Sequence, residues 1–286
     1  MGLNSVRLPI GYWNVMADPY KKYAPADHRF SLHYIDWCFD MAEKYGLTVL
    51  LDLHGGPGSQ NGIDHSGCGM EPTFVNATNV RLGLQAVEAM AARYGKRPSL
   101  LGFELLNEPG YMSELSNHSV LLSFYSEAYD VVRAHSADCL VVFNELYDQF
   151  YHTWDRDLLE PKFYNVVIDL HLYDWQLPYT KEPQSQHVRD AVNWKALLDT
   201  LSSTRPAIIG EWCMSTGTWR QAGQPFVNAA VKSFDRSAGW YIWNWKIQRG
   251  IGFDEWDVQF QHSIKGGLDP LQVYSKYDFV TKVDGQ

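Results

Sequence analysis

Short unbroken apolar runs alternate with stretches in which apolar residues recur every three or four positions, over nearly all of the 286 residues. The runs have strand length and suit strands buried on both faces, whereas the periodic stretches suit helices with one apolar face. This pattern predicts strands over 6–10, 48–54, 100–106, 139–144, 166–172, 207–212 and 239–245. Between them it predicts helices over 33–45, 78–94, 121–134, 187–201 and 224–234, with a closing helix over 271–283. Strands and helices in strict alternation argue for βα units and a parallel sheet. The predicted fold is therefore α/β, a TIM-type (β/α)8 barrel in one domain spanning 1–286. Seven strands stand where a closed barrel has eight. The shortage falls at the N-terminus, so the first βα unit is expected to be missing from this chain: either it lies upstream in a longer natural chain, or another segment or a partner subunit in a homo-oligomer covers the open edge.

Composition narrows the classes of function. The chain is 45% hydrophobic and 20% charged, without an apolar run near membrane-span length, which implies a soluble globular protein and no membrane partner. A formal charge of -9, with no Lys/Arg block, argues against nucleic acid. Aromatic residues make up 14%, which suits both a large core and stacking on flat sugar faces. Cys38, Cys68, Cys139 and Cys213 show no metal-type spacing and read as structural fillers; no metal is expected. The opening residues lack a basic n-region followed by an apolar h-region, so no signal peptide is expected. Asn76-Ala77-Thr78 and Asn117-His118-Ser119 match the N-glycosylation pattern, which matters only in a secreted chain.

The candidate chemistry sits at strand ends. Glu108, in Asn107-Glu108-Pro109, and Glu211, after Ile208-Ile209-Gly210, each close an apolar run about a hundred positions apart. In a parallel barrel such ends converge over one substrate, and glycosidases need two carboxyl groups there. Asn107 beside Glu108 is placed to hold a sugar 2-hydroxyl while the acid protonates the leaving oxygen. His171 and Tyr173, two apart on a strand, face the same side, so the tyrosine hydroxyl can orient a nucleophilic Glu211 and the histidine can bind substrate. Arg7 lies inside an apolar strand, where a cation needs a carboxylate, and is expected to support Glu211. His54 precedes a Gly-rich loop, 55–62, that lacks both the P-loop ending and the dinucleotide spacing; a rigid turn offering His54 and Asn61 to sugar hydroxyls fits better. Trp243 is placed to floor the reacting-sugar site.

Together these segments resemble glycoside hydrolase family 5, whose barrels carry an Arg, a His, an Asn-Glu pair, a His-x-Tyr, a second Glu and a late Trp in this order. Arg7, His54, Asn107, Glu108, His171, Tyr173, Glu211 and Trp243 fill those places. Arg7-Leu8-Pro9-Ile10-Gly11-Tyr12-Trp13, the stretch 52–62 and Trp243-Asn244-Trp245-Lys246 look most like the fungal exo-β-1,3-glucanase group. The resemblance implies a retaining β-glucosidase acting on β-glucans or β-glucosides, secreted, with Glu211 as nucleophile, Glu108 as acid/base and no metal or organic cofactor. Three departures accompany it: the group's first strand has no counterpart, Ile63 and Trp175-Gln176 stand where a pair of entrance phenylalanines would, and the group's disulfides are not recognisable. The alternatives are a catalytically silent carbohydrate-binding or interaction protein on a degenerate barrel, and an endo-acting cellulase or mannanase of the same family.

Overall fold

A computed structural model of the chain describes residues 2–19, 29–67, 71–110, 118–145, 154, 156–174, 183–215, 223–247 and 256–271. The chain forms two compact units, Asn4–Asp169 and Leu170–Gln286, the latter with Met1–Leu3.

In the N-terminal unit, strands β1 (Ser5–Gly11), β2 (Thr48–Gly55), β3 (Leu100–Glu104), β4 (Leu140–Asn144) and the first part of β5 (Val166–His171) lie side by side in chain order, all parallel. β2 is the most deeply set: Val49, Leu50, Leu51 and Leu53 are all buried, as expected of a strand covered on both faces. Helix α1 (Arg29–Tyr45) turns Ile35, Phe39 and Ala42 inward at helical spacing. Helix α2 (Ala77–Tyr94) starts at Asn76, whose side chain accepts from Thr78 N and so satisfies one of the unpaired amides of the first turn. Helix α3 (His118–His135) buries Leu121, Phe124, Tyr125, Ala128, Tyr129 and Val132 along one stripe. Arg93 on α2 grips Asp36 on α1, and Arg97 just beyond α2 reaches Asp40 at 2.6 Å and Glu43 at 2.7 Å.

In the C-terminal unit, helices α4 (Gln184–Leu201) and α5 (Gly223–Phe234) pack through Trp194, stacked on Phe234 at 5.7 Å, and through Ser233 Oγ, which donates to Ala191 O. Strand β6 (Ala207–Glu211) pairs in parallel with β7 (Gly239–Trp240). A short helix, α6 (Val258–Ser263), capped by the Asp257 carboxylate, carries no clear signal in the sequence.

The predicted elements are present with ends shifted by a few residues, apart from two. The last strand, predicted over 239–245, keeps ladder geometry only for Gly239–Trp240. Beyond it Tyr241 N still donates to Ile209 O and Trp243 N to Trp212 O, but the Trp243–Asn244 peptide is cis and the chain turns away from regular pairing. Aromatic content made this stretch look like a longer strand. The predicted closing helix lies outside the described residues beyond 271, as do Cys68, Asn117, Trp175 and Gln176. Cys38 and Cys139 carry free thiols, and burial pushes the Cys38 thiol up. No helix among the described residues is long and apolar enough to cross a membrane.

Candidate active site

Strands β1, β2 and β3 bring charge into a place where apolar strands would otherwise bury it alone. In the parallel register Asp52 stands beside Glu104, and both side chains are fully buried. A single guanidinium serves them. Arg7 Nε donates to Glu104 Oε2 at 2.7 Å and Nη2 to Glu104 Oε1 at 2.9 Å, while Nη2 also reaches Asp52 Oδ2 at 3.0 Å and Asn107 Oδ1 at 2.8 Å. Asp169 Oδ2 lies 3.9 Å from Nε. The cation these carboxylates share is therefore an arginine fork, the geometry best suited to paired oxygens. The sequence pointed Arg7 at Glu211; within its own unit the fork grips Glu104 and Asp52, and through Asn107 it reaches the turn that carries Glu108. Asp52 Oδ2 also meets His54 Nδ1 at 2.8 Å, which fixes the plane of that ring.

Glu108 occupies a left-handed backbone conformation, φ 40°, a region that non-glycine residues adopt at a cost of roughly 1–3 kcal/mol. The loop after β2 holds it there. Gln60 Nε2 donates to Asn107 O at 2.8 Å and to His54 O at 2.7 Å, Asn61 Nδ2 donates to Glu108 O at 3.0 Å, and Gly110 N donates to Gln60 O. Asn61, expected to offer itself to sugar hydroxyls, thus spends its amide on the backbone of the Glu108 turn. Asn107 is fully buried, its oxygen taken by Arg7, and its Nδ2 has no hydrogen-bond partner among the described residues. His65, which the sequence reading did not single out, sets Nε2 3.1 Å from Glu108 Oε2.

The C-terminal unit holds the second carboxyl group. Glu211 ends β6 and is 5% exposed, so its charge needs partners. Tyr173 Oη donates to Glu211 Oε2 at 2.7 Å, and His171 Nδ1 lies 3.5 Å from the same oxygen. The predicted two-residue spacing does bring both side chains to Glu211. Trp256 stacks on Tyr173 with ring centroids 5.9 Å apart, and Asp174 meets the wholly buried His187 at 2.8 Å. Trp243 follows closely, its amide bonded to Trp212 O.

The sequence reading missed Glu104, Asp52, Asp169, Gln60, His65, Trp256 and the Asp174–His187 pair. For the three strand acids a signal existed: each interrupts an apolar run, as in Leu51-Asp52-Leu53. Gln60, His65 and Trp256 sit in irregular segments, where no periodicity marks which side chain turns inward.

Comparison with known proteins decides the family. The family model "Cellulase (glycosyl hydrolase family 5)" matches residues 1–249. The chain belongs to glycosyl hydrolase family 5. It is thus an O-glycosyl hydrolase by family, and among curated relatives it is 28% identical to a glucan 1,3-beta-glucosidase of Schwanniomyces occidentalis, over 96% of this chain and 72% of that protein. A glucan 1,3-beta-glucosidase of Blumeria graminis is 29% identical over the same shares. Among solved structures, rutinosidase from Aspergillus niger superposes with a TM-score of 0.72 at 19% identity, covering 86% of this chain and 72% of that one. Endo-glycoceramidase II from Rhodococcus sp. gives 0.64 at 17% identity, over 90% and 67%. These structures share the fold of this family 5 chain, an α/β arrangement of parallel strands that forms at least part of a barrel.

Proposed function

We propose that the protein is a retaining β-glycosidase that hydrolyses β-glucans or β-glucosides, β-1,3-glucan first among them, by double displacement. The observation that carries this reading is the bond from Tyr173 Oη to Glu211 Oε2 at 2.7 Å, at a strand end of a family 5 chain. A hydroxyl donated to one carboxylate oxygen fixes the direction of the other, as a nucleophile requires. The relatives named above supply the sugar: their glucan 1,3-beta-glucosidase activity extends to this chain as part of the proposal.

In this reading Glu211 attacks the anomeric carbon while the bond to the leaving oxygen breaks and Glu108 gives that oxygen its proton. The glycosyl ester on Glu211 is then released by a water whose proton passes to Glu108, restoring both acids. Asn107 Nδ2, buried beside Glu108, is the donor for the sugar 2-hydroxyl, a contact that strengthens in the transition state. His54 and His171 bind further hydroxyls, Trp243 floors the sugar, and Arg7 and Asn61 hold the frame. The two acids supply all the proton transfers, so the reaction calls for no metal or organic cofactor. The finer fold, a TIM-type (β/α)8 barrel, and a homo-oligomeric state belong to the same proposal. Secretion, implied by the family resemblance, is part of the same proposal.

The test is intact mass after incubation with a 2-deoxy-2-fluoro-β-glucoside bearing an activated leaving group, followed by peptide mapping. One glycosyl adduct on Glu211 is expected. Binding of glucan with no adduct would replace the enzyme reading with a silent binder. Products from laminarin then separate glucose release from chain ends from the mixed oligomers of internal cleavage.

A further inference from the structure

His65 stands against the Glu108 carboxyl group on a single 3-10 turn, Asp64–Ser66, within the loop after β2. The turn is locked from several directions: Ser66 N and Ser66 Oγ both donate to Ile63 O, Gly67 N donates to Asp64 O, and the Ser59 and Ser66 hydroxyls share a hydrogen bond. The imidazole stands edge-on to His54 at 5.5 Å, and its side chain is 31% exposed. Its Nε2 lies 3.1 Å from Glu108 Oε2 and 2.7 Å from Asn61 Nδ2.

Asn61 decides which way the protons run. Its Oδ1 accepts from Ile63 N at 3.0 Å and its Nδ2 donates to Glu108 O at 3.0 Å. Turning the amide over would set oxygen against a carbonyl oxygen and nitrogen against an N–H, so the orientation is fixed by the network. An N–H of Asn61 therefore faces His65 Nε2, whose one lone pair accepts it, with the ring proton on Nδ1. Glu108 Oε2 at 3.1 Å can only share that one lone pair as the second, longer arm of a three-centre contact, which is attractive when a proton lies between them. That proton belongs to the carboxyl group of Glu108; an ionised carboxylate there would set two acceptors against each other.

We propose that His65 is a positioning residue for Glu108, keeping the acid proton on Oε2 of the resting enzyme until the leaving oxygen of the substrate competes for it. The proposal rests on the reading of Glu108 as the acid/base. Once the proton has gone to the leaving oxygen, the same nitrogen opposes the new carboxylate and favours its taking a proton from the attacking water. One arrangement thus serves both half-reactions, and the loop that clamps the backbone of Glu108 also governs its carboxyl group.

The experiment compares kcat/KM for two substrates on each of three proteins. The substrates are a dinitrophenyl β-glucoside, whose departure needs no proton, and an alkyl β-glucoside, whose departure does; the proteins are wild type, Glu108→Ala and His65→Ala. Because the readout is a ratio within one preparation, a partly unfolded variant does not disturb it. His65→Ala is expected to lose about tenfold or more on the alkyl substrate and to stay within about threefold on the dinitrophenyl one, a smaller copy of the Glu108→Ala pattern. Added imidazole is expected to restore part of the alkyl activity, since the ring is open to solvent on one side. Leaving-group dependence in Glu108→Ala with a uniform loss, or none, in His65→Ala overturns the role of His65 and leaves Glu108 standing. No leaving-group dependence in Glu108→Ala, or a wild type inert toward both substrates, overturns the reading of Glu108 and the proposal with it.

Discussion

Arg7 is the residue on which the charged end of the N-terminal unit depends. It is 3% exposed at the side chain and holds Glu104 and Asp52, both wholly buried. Removing one member of a buried ion pair costs roughly 3–5 kcal/mol, because the partner charge is left without compensation. Arg7→Met keeps the bulk and deletes the charge, and it is expected to lower the free energy of unfolding in urea by about that amount. Arg7→Lys is expected to recover only part of the loss, since one ammonium cannot fork onto both oxygens of Glu104 while reaching Asn107. A variant as stable as wild type would show that the carboxylates are neutralised in another way.

Two elements govern the turn around Glu108 and the packing of the helices outside it. Gln60, 4% exposed, accepts from Gly56 N and donates to His54 O and Asn107 O, so it ties the loop after β2 to itself and to the loop after β3. Gln60→Leu deletes three bonds worth roughly 0.5–1.5 kcal/mol each and leaves three backbone groups wanting partners. Hydrogen exchange should show it first, as faster exchange at Gly56 N while the amides of β2 stay protected. The α1–α2 contact carries a pH signature. Arg93 donates to Asp36 and, aided by Tyr94, holds its carboxyl below the usual value despite partial burial. The stability this pair supplies is fully present above the unfolded carboxylate pKa of about 3.9 and is lost as pH falls through the lower folded value. Asp36→Asn should therefore destabilise the protein at neutral pH and flatten the acid side of its stability curve. Urea midpoints at neutral and acid pH check both. These cases also show what the sequence can convey. Strands and helices were legible because burial on both faces leaves unbroken apolar runs and burial of one helix face imposes a period of 3.6, and Glu108 and Glu211 stood out because each closes such a run. Gln60 and His65 obey no period: their positions follow from how one loop folds against another, which local pattern does not encode. The truncated β7 belongs with them, since alternating tryptophans look alike in a ladder and in a turn.

At the scale of the whole molecule the dominant physical quantity is charge. Thirty-three acidic and twenty-four basic residues give -9 at neutral pH. A field of that sign attracts cations, repels anionic polymers at long range and does little to an uncharged glucan. The proposed substrate can thus be tested without reference to any single residue. Salt shortens the Debye length from about 10 Å at 0.1 M to about 3 Å at 1 M, which removes long-range repulsion and leaves short contacts in place. For a neutral β-glucan, kcat/KM should stay within about twofold over that range, because steering supplies none of the encounter rate. A glycan bearing carboxylates or sulfates would instead be turned over faster as salt rises. A steep increase with laminarin, measured at fixed pH and temperature, would mean that net charge reaches into the binding step, which an uncharged sugar gives no reason to expect.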